Sequence, residues 1–297
     1  MGETKKIIVL GAGGQLGTDT IRALKDGGFN AAGFNSAELD IRDFEKVLHA
    51  IVRERPAFVV NSAAYTNVDG AEKETERAYA VNRDGAANVA RAAKETGATL
   101  VHISTDFVFD GKKSTPYGEA DTVNPLSVYG KSKLAGEEKV RELINEHIII
   151  RASWLYGATG RNFVKTMLNL AGERERLRVV SDQVGSPTWT SDLARLIVRI
   201  AGRDGAPYGI YHYSNEGVAS WYDFAVAVIE EAALLGVPLK CREVEPIPTE
   251  GYPTPATRPA YSVLNKAKIR ETLGLSIPHW RSSLRCMLKD LFKEKRI

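Results

Sequence analysis

The chain has 297 residues, 43% of them hydrophobic, enough for a well-buried core in one large domain or in two that share a sheet. Lys+Arg 40 against Asp+Glu 37 leave a net charge of +3, too small and too evenly spread to point to nucleic acid as a partner. The two cysteines, Cys241 and Cys286, lie far apart without metal-ligand spacing, and no apolar run reaches membrane-spanning length; a disulfide framework and a membrane span are both disfavoured. The lack of a disulfide framework fits a reducing cytoplasm, and Met1 to Lys6 carries no signal-peptide pattern.

Lys6 to Leu10 is a short apolar run, rich in β-branched residues and closed by glycine, and reads as a buried parallel strand. Gly11-Ala12-Gly13-Gly14-Gln15-Leu16-Gly17 follows at once. A helical pattern then begins, with Leu16, Thr20, Ile21 and Leu24 on its apolar face and Gly27-Gly28 as its stop. Glycines at 11, 14 and 17 suit a tight turn, close backbone approach to a pyrophosphate, and close packing of helix on strand. The helix N-terminus would offer free N–H groups to the phosphates. In this strand–turn–helix context the motif predicts dinucleotide binding; the blander reading is a plain βα turn. The spacing Gly-x-x-Gly-x-x-Gly resembles that of the short-chain dehydrogenase/reductase superfamily in its extended form.

The second strand should end near Gly33-Phe34-Asn35-Ser36, where an adenosine ribose would sit. Asn35 is neutral: it can hydrogen-bond the ribose of NADH and does not repel the 2′-phosphate of NADPH. Arg42 could offer a positive partner or be a helix-surface residue. Leu39-Asp40-Ile41-Arg42-Asp43 resembles the superfamily's adenine-side segment, and Asp40 reads equally as the N-cap of a helix over Phe44 to Arg53. Ala57 to Asn61 is a third strand, followed by Ser62-Ala63-Ala64-Tyr65-Thr66, whose small residues let the chain pass close to a cofactor. Helical segments over Glu76 to Asn82 and Gly85 to Thr96 come next. The alternation points to an α/β fold, a Rossmann-type doubly wound parallel sheet.

Ala98 to Ile103 is strand four, with Ser104-Thr105-Asp106-Phe107 leaving its C-terminal end, the end at which open α/β sheets bind ligands. A threonine there is more often only a turn former. Tyr129 and Lys133 then stand four residues apart on a predicted helix, one turn from each other on one face. An ammonium beside a phenol favours the phenolate, by roughly 1–3 units for a nearby opposite charge, and would make Tyr129 a better proton shuttle. Alone, such a pair is usually a solvated helix face. Thr105, Tyr129 and Lys133 together are the triad expected of the superfamily. His102, inside a strand, reads as a hydrogen-bonded core residue, and no metal site is expected at His212 or His279.

The resemblance narrows further along the chain. Gly14-Gln15-Leu16-Gly17, Ser104-Thr105-Asp106, Val108-Phe109-Asp110-Gly111 and Tyr129-Gly130-Lys131-Ser132-Lys133-Leu134-Ala135-Gly136-Glu137 carry it in the first half. Asn162-Phe163-Val164, Asp182 to Thr188, Ser220 to Ala225 and Arg258 to Leu264 extend it over nearly the whole length. Together these are similar to the dTDP-4-dehydrorhamnose reductase family. The resemblance implies reduction of the 4-keto group of dTDP-4-dehydro-β-L-rhamnose by NADPH or NADH, giving dTDP-β-L-rhamnose.

Residue by residue, it implies Thr105, Tyr129 and Lys133 as catalytic groups. Cofactor contacts are implied at Gly11, Gly13, Gly14, Gln15 and Leu16, at Asn35, Asp40 and Ile41, and at Ala63, Ala64, Tyr65 and Thr66. Ile103, Tyr129 and Lys133 complete that set. Thr105, Asp106, Trp154, Asn162 and Arg258 are implied for the substrate, which is a dTDP-linked sugar. Trp154 would offer a flat apolar ring to a deoxyhexose, or be a core residue. Arg258 would fork onto a diphosphate, or be a surface ion pair. Phe107 departs from the tyrosine frequent in the family. It also stands where the related dTDP-glucose 4,6-dehydratases carry a glutamate, which favours plain keto reduction over loss of water.

Residues 1–150 should form the NAD(P)-binding domain and 151–297 mainly a smaller substrate-binding domain, with Asp192 to Ala201 returning to the sheet as a helix. The proline-rich stretch Val244 to Pro259 reads as a loop over the cleft. Leu284 to Phe292 reads as an amphipathic helix with a basic tail, able to pack on the body or on a second subunit, so a homodimer stays open. Two rivals remain: a 4-keto reductase of another nucleotide-linked deoxysugar, and a non-catalytic regulatory subunit like the β subunit of methionine adenosyltransferase. The triad argues against the second.

Overall fold

The computed structural model describes residues 5–293; the N-terminal stretch before Lys5 and the tail after Lys293 lie outside the described residues. Five strands, β1 (Lys6–Leu10), β2 (Asn30–Phe34), β3 (Phe58–Asn61), β4 (Thr99–Thr105) and β5 (His147–Ala152), join Gly209–Tyr213 in one sheet. Every pairing is parallel, in the order Gly209–Tyr213, β5, β4, β3, β1, β2. The chain steps one way from β1 to β2 and the other way to β3. That reversal opens a crevice at the strands' C-terminal ends, between β1 and β3.

Both faces of the sheet are covered, which is why its strands are apolar throughout. Ile7 and Val9 face a cluster with Leu16, Leu24, Leu193, Ile197 and Ile200, from helices α1 (Gln15–Asp26) and Thr190–Ala201. Ile8 and Leu10 face the opposite cluster with Val47, Ile51, Val89 and Val140. The alternation follows from the two-residue period of a strand. Helix α2 (Phe44–Glu54) is capped by Asp43, whose carboxylate accepts from Lys46 N at 3.2 Å. Asp40 is therefore not the N-cap.

A third cluster, separate from the sheet, gathers Val164, Met167, Phe224, Val228, Trp280, Leu284, Met287 and Leu288. The apolar face of the last helix, Trp280–Lys293, is buried here, on the chain's own body. The stretch expected as a loop from Val244 opens inside a strand, Glu243–Ile247, paired in parallel with Arg176–Val180. Pro246 fits because the pair is only two strands wide and a proline tolerates an edge. Helix Thr190–Ala201 and strand Gly209–Tyr213 both belong to the sheet layer, although they follow residue 150 in sequence. Among the described residues, no helix is long and apolar enough to cross a membrane.

Candidate active site

The crevice widens into a cleft of about 1260 Å³, larger than the ~300–1,000 Å³ usual for one small ligand, so it has room for two. Its floor is the glycine turn. Gly11 has φ +77°, and a Cβ there would stand 2.6 Å from Ala63 N, on the segment leaving β3. A Cβ on Gly17 would strike the Gly11 carbonyl oxygen. The turn is thus pressed against both the helix behind it and the chain beside it, which only glycine allows. Gly14 caps α1 without a side-chain hydrogen bond, leaving the first N–H groups free to face an anion. A dinucleotide fits this cradle: Gly11, Gly13, Gly14, Gln15 and Leu16 all line it.

Farther along the same wall come Asn35, Asp40, Ile41, Ala63, Ala64, Tyr65 and Thr66. Asn35 Oδ1 accepts from Ala37 N at 2.9 Å and Glu38 N at 3.1 Å, so its oxygen is spent on the turn after β2. Asp40 is held by Arg42, whose Nε donates at 2.9 Å and Nη2 at 2.5 Å, and the guanidinium keeps that carboxyl below its ordinary range. Tyr65 is pinned through its backbone: its N–H donates to Asn82 Oδ1 at 2.9 Å, and Asn82 Nδ2 donates to the Tyr65 carbonyl at 3.1 Å. Asn82 sits in a π-helical turn, Ala80–Gly85, between two α-helical segments. The expected separate helices over Glu76 to Asn82 and Gly85 to Thr96 are therefore one continuous run from Thr75 to Thr96.

Strand β4 runs two residues beyond its expected end, so Ser104 and Thr105 finish the strand and a 3-10 turn, Asp106–Val108, follows. Thr105 Oγ1 donates to Asp106 Oδ1 at 3.1 Å. Asp106 is 2% exposed, and its Oδ2 has no hydrogen-bond partner. Burial raises this carboxyl to about 6, against the opposing Ser262 and Thr105 hydroxyls.

Tyr129 and Lys133 lie on helix Val128–Leu143, capped by Ser127, which accepts from Gly130 N at 3.1 Å. Both line the cleft, with Thr105, Asp106 and Ile103. The Phe107 ring meets the Tyr129 ring edge-on, centroids 5.6 Å apart. The expected lowering of the phenol pKa does not follow from this arrangement. Enclosure in the cleft wall raises Tyr129 to about 12; the Thr105 hydroxyl opposes this and the Asp106 charge adds to it. The physical reason is that the Lys133 ammonium is turned to the Ile103 carbonyl, 2.6 Å away. Burial lowers Lys133 to about 8, countered by the charge of Glu137. Glu137 in turn is buried against Arg151, which donates to it at 2.7 Å and 3.0 Å.

Trp154 lines the cleft from the other side with φ +48°, and its ring stacks on Trp221 at 3.5 Å between centroids. Gly185 makes room for it, since a Cβ there would stand 2.6 Å from the indole. Arg258 also lines the cleft, and its guanidinium forks onto Asp69 at 2.8 Å and 3.1 Å. Asn162 is not in the lining. It caps helix Phe163–Glu173 and donates to Gln15 Oε1 at 2.9 Å. Its side chain is committed to the scaffold, so any part it plays toward the substrate is indirect.

Arg161 lines the cleft without having been singled out, and Trp221, noted only within the segment Ser220 to Ala225, lines it without having been given a role. Trp221 reaches it by stacking on a residue 67 positions earlier (221 less 154), which no local pattern reveals. His102 is buried with Asn61 Nδ2 3.3 Å from its Nδ1, and its Nε2 has no partner.

A family model described as RmlD substrate binding domain matches residues 5–293. The spore coat polysaccharide biosynthesis protein SpsK of Bacillus subtilis (strain 168) is 46% identical over 285 residues, 96% of this chain and 97% of that one. The dTDP-4-dehydrorhamnose reductase of Escherichia coli (strain K12) is 41% identical over 292 residues, 96% of this chain and 98% of that one. A crystal structure of dTDP-4-dehydrorhamnose reductase from Bacillus anthracis str. Ames, in complex with NADP, superimposes with a TM-score of 0.91 at 40% identity. It covers 97% of this chain and 99% of that one.

Proposed function

This chain belongs to the RmlD substrate binding domain family, and from that premise we propose that it is a dTDP-4-dehydrorhamnose reductase. It reduces the 4-keto group of dTDP-4-dehydro-β-L-rhamnose to dTDP-β-L-rhamnose with NADPH or NADH. The observation that carries the reading is the meeting of Thr105, Tyr129 and Lys133 on one cleft with the glycine turn.

When bound, the reduced nicotinamide supplies the hydride. The chain's own residues manage the charge that develops on the sugar oxygen. Thr105 and Tyr129 hydrogen-bond that oxygen, and Tyr129 delivers the proton. A phenol held near 12 is fully protonated at neutral pH, the state a reduction requires. Lys133 holds the cofactor ribose and contributes a positive field. Burial of the ammonium means that a modest rearrangement toward the phenol would be felt strongly. Trp154 and Trp221 offer an apolar wall to the deoxysugar, and Asp106 Oδ2 offers an unused acceptor to one of its hydroxyls.

Asn35 lacks the charge that would exclude a 2′-phosphate, which suits use of both cofactors. The proposed compartment is the cytoplasm, where the free Cys241 and Cys286 stay reduced. Homodimer formation is also proposed, and sedimentation at working concentration tests it.

Tyr129→Phe should abolish turnover and leave NADPH binding within about twofold, since one hydroxyl supplies the proton and ~10²–10⁴ in rate. Unchanged turnover in that variant would discard the mechanism. A panel of nucleotide-linked 4-keto sugars separates this substrate from its neighbours: dTDP-4-dehydro-β-L-rhamnose should give the highest kcat/KM.

A further inference from the structure

The segment from Gly157 to Asn162 leads into helix Phe163–Glu173 and is fastened to the glycine turn. Asn162 Nδ2 donates to Gln15 Oε1 at 2.9 Å and to the Gly157 carbonyl at 2.8 Å. Gly160, with φ +67°, lies flat on the Gln15 stem, where a Cβ would stand 2.8 Å from Cγ. Arg161 sits between these two anchors, exposed, in the wall of the cleft. Among the described residues it has no ion pair and no hydrogen bond.

Three other arginines of the cleft are committed: Arg42 to Asp40, Arg77 to Glu74 and Arg258 to Asp69. Gln15, on which the segment rests, opens helix α1 at its uncapped, positive end. An unpaired guanidinium and free N–H groups thus share one corner of the cleft. With no carboxylate supplied by the chain, the complementary charge is an anion of the ligand.

We propose that Arg161 binds the pyrophosphate of the dinucleotide, as a second-half residue held over the turn by Asn162 and Gly160. The proposal rests on the reductase reading. The substrate's diphosphate is the other anion in the cleft. The anchoring to Gln15, rather than to Arg258 or Trp154, assigns Arg161 to the cofactor.

Calorimetric titration with ADP-ribose, NADPH and dTDP tests this on the wild type, Arg161→Ala, Arg161→Lys and Asn162→Ala. ADP-ribose carries the pyrophosphate without the nicotinamide. Arg161→Ala should weaken ADP-ribose and NADPH alike, by ~tenfold at low salt, the worth of one charge-assisted contact. Its affinity should also depend less on ionic strength than the wild type's. Arg161→Lys should recover part of the loss, Asn162→Ala should show a smaller loss, and dTDP affinity should stay within about twofold because this contact is made only to the cofactor. Unchanged ADP-ribose affinity in Arg161→Ala would overturn the proposal, as would a loss confined to dTDP. Either result leaves the reductase reading standing if the wild type binds NADPH; a wild type that binds neither NADPH nor ADP-ribose would sink both.

Discussion

At the scale of single residues, the site is built from groups kept in costly states. Asp106 is buried with one oxygen unpartnered, and its carboxyl stands at about 6 against a usual 3.8. The fold therefore prefers Asp106 protonated. The stability this contributes is present below pH 4 and lost as pH rises through 6. Above that, holding the ionised group costs up to about 3 kcal/mol, at 1.36 kcal/mol per unit. Asp106→Asn should raise the melting temperature at pH 7.5 by a few degrees and lose that advantage near pH 4, while kcat/KM falls. Equal melting at both pH values would show that the burial of this carboxyl is not costly. Residue types and spacing were enough to pick out Thr105, Tyr129 and Lys133, which meet on one cleft. They could not reveal that Lys133 turns to the Ile103 carbonyl, because that contact joins a helix to a strand.

Among the elements, helix Val128–Leu143 decides the geometry, because it carries both Tyr129 and Lys133. Two glycines let it sit where it does. A Cβ on Gly130 would meet the Phe107 carbonyl oxygen, and one on Gly136 would meet the Asn82 carbonyl oxygen in the π-helical turn. That turn also ties the helix to the β3 segment, through Asn82 Nδ2 and Ser132 Oγ at 2.9 Å. Gly136→Ala should force the helix outward, costing about 1–3 kcal/mol of stability as overpacking does. Turnover should fall at least ~tenfold, since a shift of about 1 Å at the chemistry is that expensive. A variant that melts and turns over like the wild type would remove the helix from its assigned place. Strand β1 and its glycine turn were plain in the sequence because apolar run, glycine and helical period agree there. Glu243–Ile247 was not, because Pro246 argues for a loop until its partner strand is known.

Over the whole molecule, a few long-range polar contacts hold the fold together, one set within the sheet layer and two at the cleft. Asp19 Oδ2 accepts from Thr190 Oγ1 at 2.5 Å and from Ser191 Oγ at 3.0 Å, Asp69 accepts from Arg258, and Gln15 accepts from Asn162. Each joins residues more than 140 positions apart, so none could be read from spacing. Arg161 was missed, and Trp221 left without a role, for the same reason: only the folded chain brings them to the cleft. The fold class and the family were legible because many short segments point one way together. The measurement that tests the account most directly follows deuterium from NADPH labelled at the transferring position of the nicotinamide. With dTDP-4-dehydro-β-L-rhamnose, the label should appear at C4 of the sugar with the wild type and disappear with Tyr129→Phe. Label at another carbon, unlabelled product, or equal transfer by both proteins would contradict it.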